Sequence, residues 1–318
     1  MNAVSIREAG LEYHQVHSGG RPGWWRPVVG TFVLVVVMLG LVPLLVQIPF
    51  ALGYAVAGDD VGASMTRLVE LDHPTPAGLA YLNLVLAAAI PVAWAVQRLV
   101  HGLAPRWLAS VRPRIRWRWF ATCLGLALVS LVATLVVSAL LPSSPGDPQV
   151  GSHVNSFTDT TRGFLLVVLF LTPLQAAGEE YAFRGYLTQA FGGVFRSRVA
   201  AIVGPAVLFA LAHGAQSAPV FFDRFAFGLV AGVLVISTGG LEAGIAMHVL
   251  NNWLAFGLAL AFGDMGSTLN PTGGSWWSIP VTLTQSLVYL GLATLLARRN
   301  GVRRATEGVV LVAPKGSV

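Results

Sequence analysis

The sequence predicts an all-α fold, a polytopic membrane helical bundle of about eight transmembrane helices, and three observations predict it. Hydrophobic residues make up 55% of the 318 positions. Charged residues make up only 11%, against roughly 25% in ordinary soluble domains. The apolar residues also fall in runs of about 20, the length that crosses a hydrocarbon core of ~30 Å.

Residues 1–27 read as a polar cytoplasmic tail carrying Arg7, Arg21 and Arg26. The apolar run behind it is too long for a signal-peptide core and lacks a cleavage site, so the first helix is expected to be retained. His14 and His17 stand three apart in the tail, but with no third ligand nearby the spacing does not by itself make a metal site. Helices are expected over 28–53, 77–98, 119–141, 163–189, 199–214, 220–238, 241–263 and 277–297.

Charge then orients them. Arg98, Arg106, Arg112, Arg114, Arg116 and Arg118 lie between the second and third helices, interleaved with Trp107, Trp117 and Trp119, the pattern of a cytoplasmic loop with indoles at headgroup level. Arg196, Arg198, Arg298, Arg299, Arg303 and Arg304 mark further cytoplasmic segments, while Asp59, Asp60, Glu70, Asp72, Asp147, Asp159 and Asp264 mark external ones. Both termini are then cytoplasmic, as an even helix count requires. The net charge of +6 is spent on orientation, and nucleic acid is set aside as a partner. A single cysteine, Cys123, excludes an internal disulfide. One lysine against nineteen arginines is compatible with a GC-rich bacterial genome and so with a bacterial plasma membrane. No internal repeat and no soluble second domain is visible, and the loop Pro142 to Pro148 is a short Gly/Ser/Pro connection.

Polar residues that hydropathy does not explain are the candidates for chemistry, because each charge in a membrane helix costs ~2.5–3.5 kcal/mol on insertion scales. At the end of the apolar run Phe164 to Ala177 stand Glu179, Glu180 and Arg184. Glu180 and Arg184 are four apart, acid first, and can neutralise each other on one helix face. Glu179 points about 100° away at 3.6 residues per turn, and a carboxylate short of a counterion suits general-base work. His213 closes the fifth helix in Phe209-Ala210-Leu211-Ala212-His213. A hairpin turning near Gly193 to Arg198 brings Glu179 and His213 to similar depth. On the seventh helix, His248 and Asn252 project from one face, and such a pair suits an oxyanion or an interhelical clamp. Counted along straight helices, however, His213 and His248 differ in depth by ~10 Å.

Glu179-Glu180-x-x-x-Arg184, Phe209-x-x-x-His213 and His248-x-x-x-Asn252, in this order on successive membrane helices, resemble the three motifs of the CPBP (CAAX protease and bacteriocin-processing, or Abi) family of intramembrane endopeptidases. Phe225-x-x-Gly228-x-x-x-Gly232 resembles the small-residue segment of that family. The resemblance covers residues from Phe164 to Phe262 and implies a catalytic core over 161–265; the N-terminal helices within 28–160 and the last helix and basic tail within 266–318 rest on hydropathy and charge and not on the resemblance. It implies hydrolysis of a membrane-associated peptide or protein substrate within the lipid bilayer. Glu179 with His213 would activate water, His248 and Asn252 would hold the oxyanion, and Glu180 with Arg184 would orient the site. The family is often termed metalloproteases. No His-Glu-x-x-His helix is present, and the glutamate mechanism requires no cofactor; a zinc, if bound, would take Glu179, His213 and His248. A non-catalytic scaffold or immunity factor and a proton-coupled transporter are the alternatives from other classes.

Overall fold

The computed structural model describes residues 10–141, 153–214, 217–270, 274–308 and 311. Arg7, Asp147 and the loop Pro142 to Pro148 lie outside them. Helical runs occupy every stretch expected from hydropathy. They are α1 (Trp25–Ala57), α2 (Pro76–His101), α3 (Trp117–Leu140), α4 (Asp159–Phe170 continued by Thr172–Phe195), α5 (Arg198–Ala212), α6 (Ala218–Thr238), α7 (Glu242–Phe262) and α8 (Ser278–Arg299). Among the described residues six helices are long and apolar enough to cross a membrane, or seven if the bent α4 is one span, so the bundle is the expected integral membrane protein. The shortfall against eight lies in α5. Its 15 residues reach about 22 Å at 1.5 Å per residue.

Two helices depart from straight rods, and both departures serve the centre of the bundle. α4 bends by 42° around Leu171, where Pro173 enters the next turn with no N–H to give and a ring that clashes with the carbonyl four residues back. Further on, Glu180–Leu187 is π-helical, a wider turn often found at functional sites. α2 is interrupted at Ala88, and α4 packs there backbone to backbone: a Cβ on Gly178 would lie 2.2 Å from Leu86 O. α5 and α6 also pack closely. A Cβ on Gly228 would meet Ala206 at 3.0 Å, and one on Gly232 would meet Ile202 at 3.1 Å.

The two ends of the bundle differ as the loop charges require. At one end Thr306 N donates to Leu11 O and Leu11 N to Thr306 Oγ1, each at 2.9 Å, while Glu12 pairs with Arg198 at the start of α5. The arginine-rich segment joins the same end, Val111 N donating to Gly239 O and Leu241 N to Ala109 O. At the other end Asn270 Nδ2 donates to Asp72 Oδ1 at 2.7 Å and Asn155 Nδ2 to Gly263 O at 2.9 Å. Among the described residues, the stretches around Leu11 and Thr306 thus meet at the end that carries the arginine-rich segment.

Neither basic segment is the loose surface element that its composition suggests. Leu108, Ala109, Ser110 and Val111 are buried, and Arg116 turns inward onto the fully buried Glu242. Its Nη2 lies 2.6 Å from Oε2 and its Nε 2.8 Å from Oε1, while Nη1 reaches Thr238 O and Arg303 O. α7 therefore begins inside the bundle, beneath this segment. In the N-terminal tail, Tyr13–Gly19 forms a 3₁₀ strap under α4, with Tyr13 fully buried and its hydroxyl donating to Leu108 O. His14 faces Glu12 at 3.5 Å, whereas His17 bonds Gln97 Oε1 at 2.8 Å and stacks on His101 with ring centroids 3.7 Å apart. The two tail histidines diverge and share no ligand position.

Two predictions follow from these contacts. Gly178→Ala would force a methyl into the α2 backbone and should cost about 1–3 kcal/mol, as overpacking does, read as a lower melting temperature in detergent. Burial, aided by repulsion from His101, holds the His17 imidazole well below its ordinary value. The unfolded strap therefore binds more protons, and docking is at full strength above about pH 6.5 and weakens as pH falls below it. Hydrogen exchange of residues 13–19, corrected for intrinsic rates, should show lower protection at about pH 5 than at about pH 8, and His17→Phe should flatten most of that difference; unchanged protection in wild type would contradict it.

Candidate active site

α4 delivers three charged side chains into an apolar interior. Glu180 and Arg184 are fully buried and Glu179 nearly so. Glu179 ends the α-helical stretch and Glu180 begins the π-helical turn, and the two address a common partner rather than diverging. That partner is His248. Its Nδ1 lies 3.0 Å from Glu180 Oε1 and its Nε2 3.3 Å from Glu179 Oε2. Arg184 Nη1 sits 3.2 Å from the same Glu180 oxygen, the i,i+4 pair expected from spacing. Glu180 Oε2 abuts α7: a Cβ on Gly244 would lie 2.6 Å from it.

Phe209 gathers the remaining groups. The Arg184 guanidinium stands 4.1 Å from the centre of its ring, a distance at which a cation is attracted to the π face. The rings of His213 and His248 meet Phe209 edge-on, with centroids 4.7 and 6.1 Å away. His213 Nδ1 lies 2.8 Å from Phe209 O, which as a carbonyl can only accept, so Nδ1 carries the proton. Glu179, Arg224 and His248 are the charged or titratable groups within electrostatic reach of His213. The difference in depth counted along straight helices is thereby removed, because α7 starts within the bundle and α4 bends.

Asn252 sits one turn beyond His248 and donates through Nδ2 to Gln175 Oε1 at 3.0 Å. The structure brings Glu179, Glu180, Arg184 and His248 into direct contact. It places His213 across Phe209 from His248, and it ties Asn252 to Gln175 rather than to the charged cluster. Gln175, Phe209 and Glu242 carry geometry that the pattern of acids and bases alone does not assign. Gln175 has a sequence signal, an amide one turn before Glu179 in an apolar run, and Phe209 sits within the second motif. Glu242 has none, since its partner Arg116 is 126 positions away.

Among the described residues no group of three or more His, Cys, Asp or Glu side chains is placed so as to hold a metal ion.

Comparison with known proteins agrees with the motifs. Residues 161–254 match the family described as type II CAAX prenyl endopeptidase Rce1-like. The chain is also 25% identical over 224 residues to YyaK, an uncharacterised protein of Bacillus subtilis (strain 168), covering 66% of this chain and 73% of that one. No solved structure matches. The matched segment runs from the start of α4 to just past Asn252, and over it the chain is similar to the Rce1-like family and contains all three motifs.

Proposed function

We propose that the chain is an intramembrane endopeptidase that hydrolyses a peptide bond of a membrane-associated protein or peptide with water activated by Glu179. The observation that carries this reading is the grip of one histidine by two buried carboxylates, Glu180 at 3.0 Å and Glu179 at 3.3 Å, inside the segment similar to the Rce1-like family.

Roles follow from what each group already does. Glu180 is neutralised by Arg184 and holds Nδ1 of His248, so it orients and does not accept a proton from substrate. Glu179 lacks the arginine and is the carboxylate available as base. It takes a proton from water while the hydroxide oxygen bonds to the scissile carbonyl carbon. His213 lies within electrostatic reach of Glu179 and assists in holding that water. The carbonyl oxygen becomes an oxyanion, met by Nε2 of His248, whose 3.3 Å contact with Glu179 is loose enough to yield, and by the Asn252 amide. Oxyanion donors of this kind contribute a few kcal/mol each. The C–N bond then breaks as Glu179 returns its proton to the departing amine. Water is the only co-reactant, and no step is routed through a metal.

Two experiments test this. Glu179→Gln keeps shape and should abolish peptide cleavage with little change in melting temperature, whereas Glu180→Gln strands the buried Arg184 and should cost about 3–5 kcal/mol of stability. Equal losses of stability and activity in both variants would overturn the division of labour. Cleavage by the purified protein should also survive dialysis against a strong chelator, and zinc near one per chain that tracks activity through removal and re-addition would decide for a metal mechanism instead.

A further inference from the structure

The arginine-rich segment before α3 forms a concavity of about 670 Å³ lined by Arg112, Arg114, Ile115, Arg116, Trp117 and Arg118. Its charge is only partly answered. Arg116 is committed to Glu242, and Arg112, Arg114 and Arg118 are exposed and make no ion pair with a described residue. The nearest further acid, Glu307, acts on Arg112 but is held by Arg303. Pro113 fixes the backbone between Arg112 and Arg114, so two of the guanidinium groups are carried on a stiff link.

Position supplies the second half of the argument. Trp117 opens α3 with 70% of its surface exposed, as an indole at the headgroup level does. Below it the outer wall of α3 continues with exposed Leu128, Val129 and Val132. A cationic hollow above a hydrocarbon wall matches an anionic amphiphile and not a free ion. Orientation alone requires arginines on this side of the membrane, but it does not require them to line one hollow around an indole.

We infer that this hollow is a binding site for an anionic phospholipid, its phosphodiester held by Arg112, Arg114 and Arg118 and its acyl chains laid along α3. Guanidinium groups suit this task because their planar fork donates to two phosphate oxygens at once. The site is separate from the proposed catalytic cluster and stands whether or not the chain is a peptidase.

The test is native mass spectrometry of the full chain in detergent, titrated with dioleoylphosphatidylglycerol, dioleoylphosphatidylcholine or inorganic phosphate, with melting temperatures recorded for every variant. Phosphatidylglycerol should bind the wild type at least about tenfold more tightly than phosphatidylcholine, and inorganic phosphate should not displace it. Replacing all three free arginines (R112Q/R114Q/R118Q) should weaken phosphatidylglycerol roughly 100-fold, while the corresponding lysine variant should recover part of the loss. The exposed pair at the end of α8 provides the control: R298Q/R299Q should bind as wild type. Equal affinity for the two lipids, equal loss in the control variant, or displacement by inorganic phosphate would each overturn the inference, the last by assigning the hollow to a free anion.

Discussion

A guanidinium buried in apolar surroundings must be neutralised at close range, and the interior of this bundle is organised by that requirement at Arg184. An ion pair alone does not offset desolvation of the ion, and the surroundings of Arg184 add to it. Glu180 answers the charge, the face of Phe209 lies under the cation, and His248 shares the carboxylate from the opposite helix. Bringing three helices that close demands small residues where backbones meet the cluster. Gly178 and Gly244 meet that demand, the first against α2 and the second against Glu180 itself. Removing bulk at these points and widening the α4 turn are two ways of meeting one geometric need.

Electrostatic asymmetry between neighbouring glutamates is a consequence of the same arrangement. Two adjacent carboxylates would be equivalent on an exposed helix, but here Glu180 is ion-paired with Arg184 as well as His248, while Glu179 is ion-paired with His248 and not with the arginine. An orienting acid and an available base arise from environment rather than from residue type, a familiar route to separate roles for like groups.

Much of this was legible in the sequence, and the boundary between what was and what was not is physical. Hydropathy located the long membrane helices, and not the short Val61–Leu68 and Met265–Leu269, because lipid exposure leaves a composition signal in each long run separately. The Glu180–Arg184 pair was legible because i,i+4 spacing is local, and the depth of Glu179 and His213 followed from hairpin symmetry around Gly193 to Arg198. Contacts between distant segments were not. Nothing local says that Arg116 seats Glu242 and so sinks the first turn of α7, which is why straight-helix counting misplaced His248. The strap Tyr13–Gly19 reads as a polar tail because three of its polar side chains, His14, Gln15 and His17, look solvated in isolation, yet His14 and His17 are buried. Phe209 appeared as part of a motif, but its service to Arg184 and to two histidines depends on α4, α5 and α7 meeting at one ring. The bend in α4 was signalled only by Pro173, a residue that membrane helices often tolerate.

The clasp between the stretches around Leu11 and Thr306 bears on the order in which the molecule is made. Leu11 and Thr306 are 295 positions apart, so the strap emerges first yet has no partner strand until α8 has been synthesised. At about 5–20 residues per second, roughly 15–60 seconds pass during which Tyr13 and His17 have neither Thr306 beside them nor, for much of that time, α4 above them. The strap beneath the domain holding Glu179 and Glu180 is thus completed long after it has itself been made, and a nascent chain stopped before α8 would carry every motif residue without this closure.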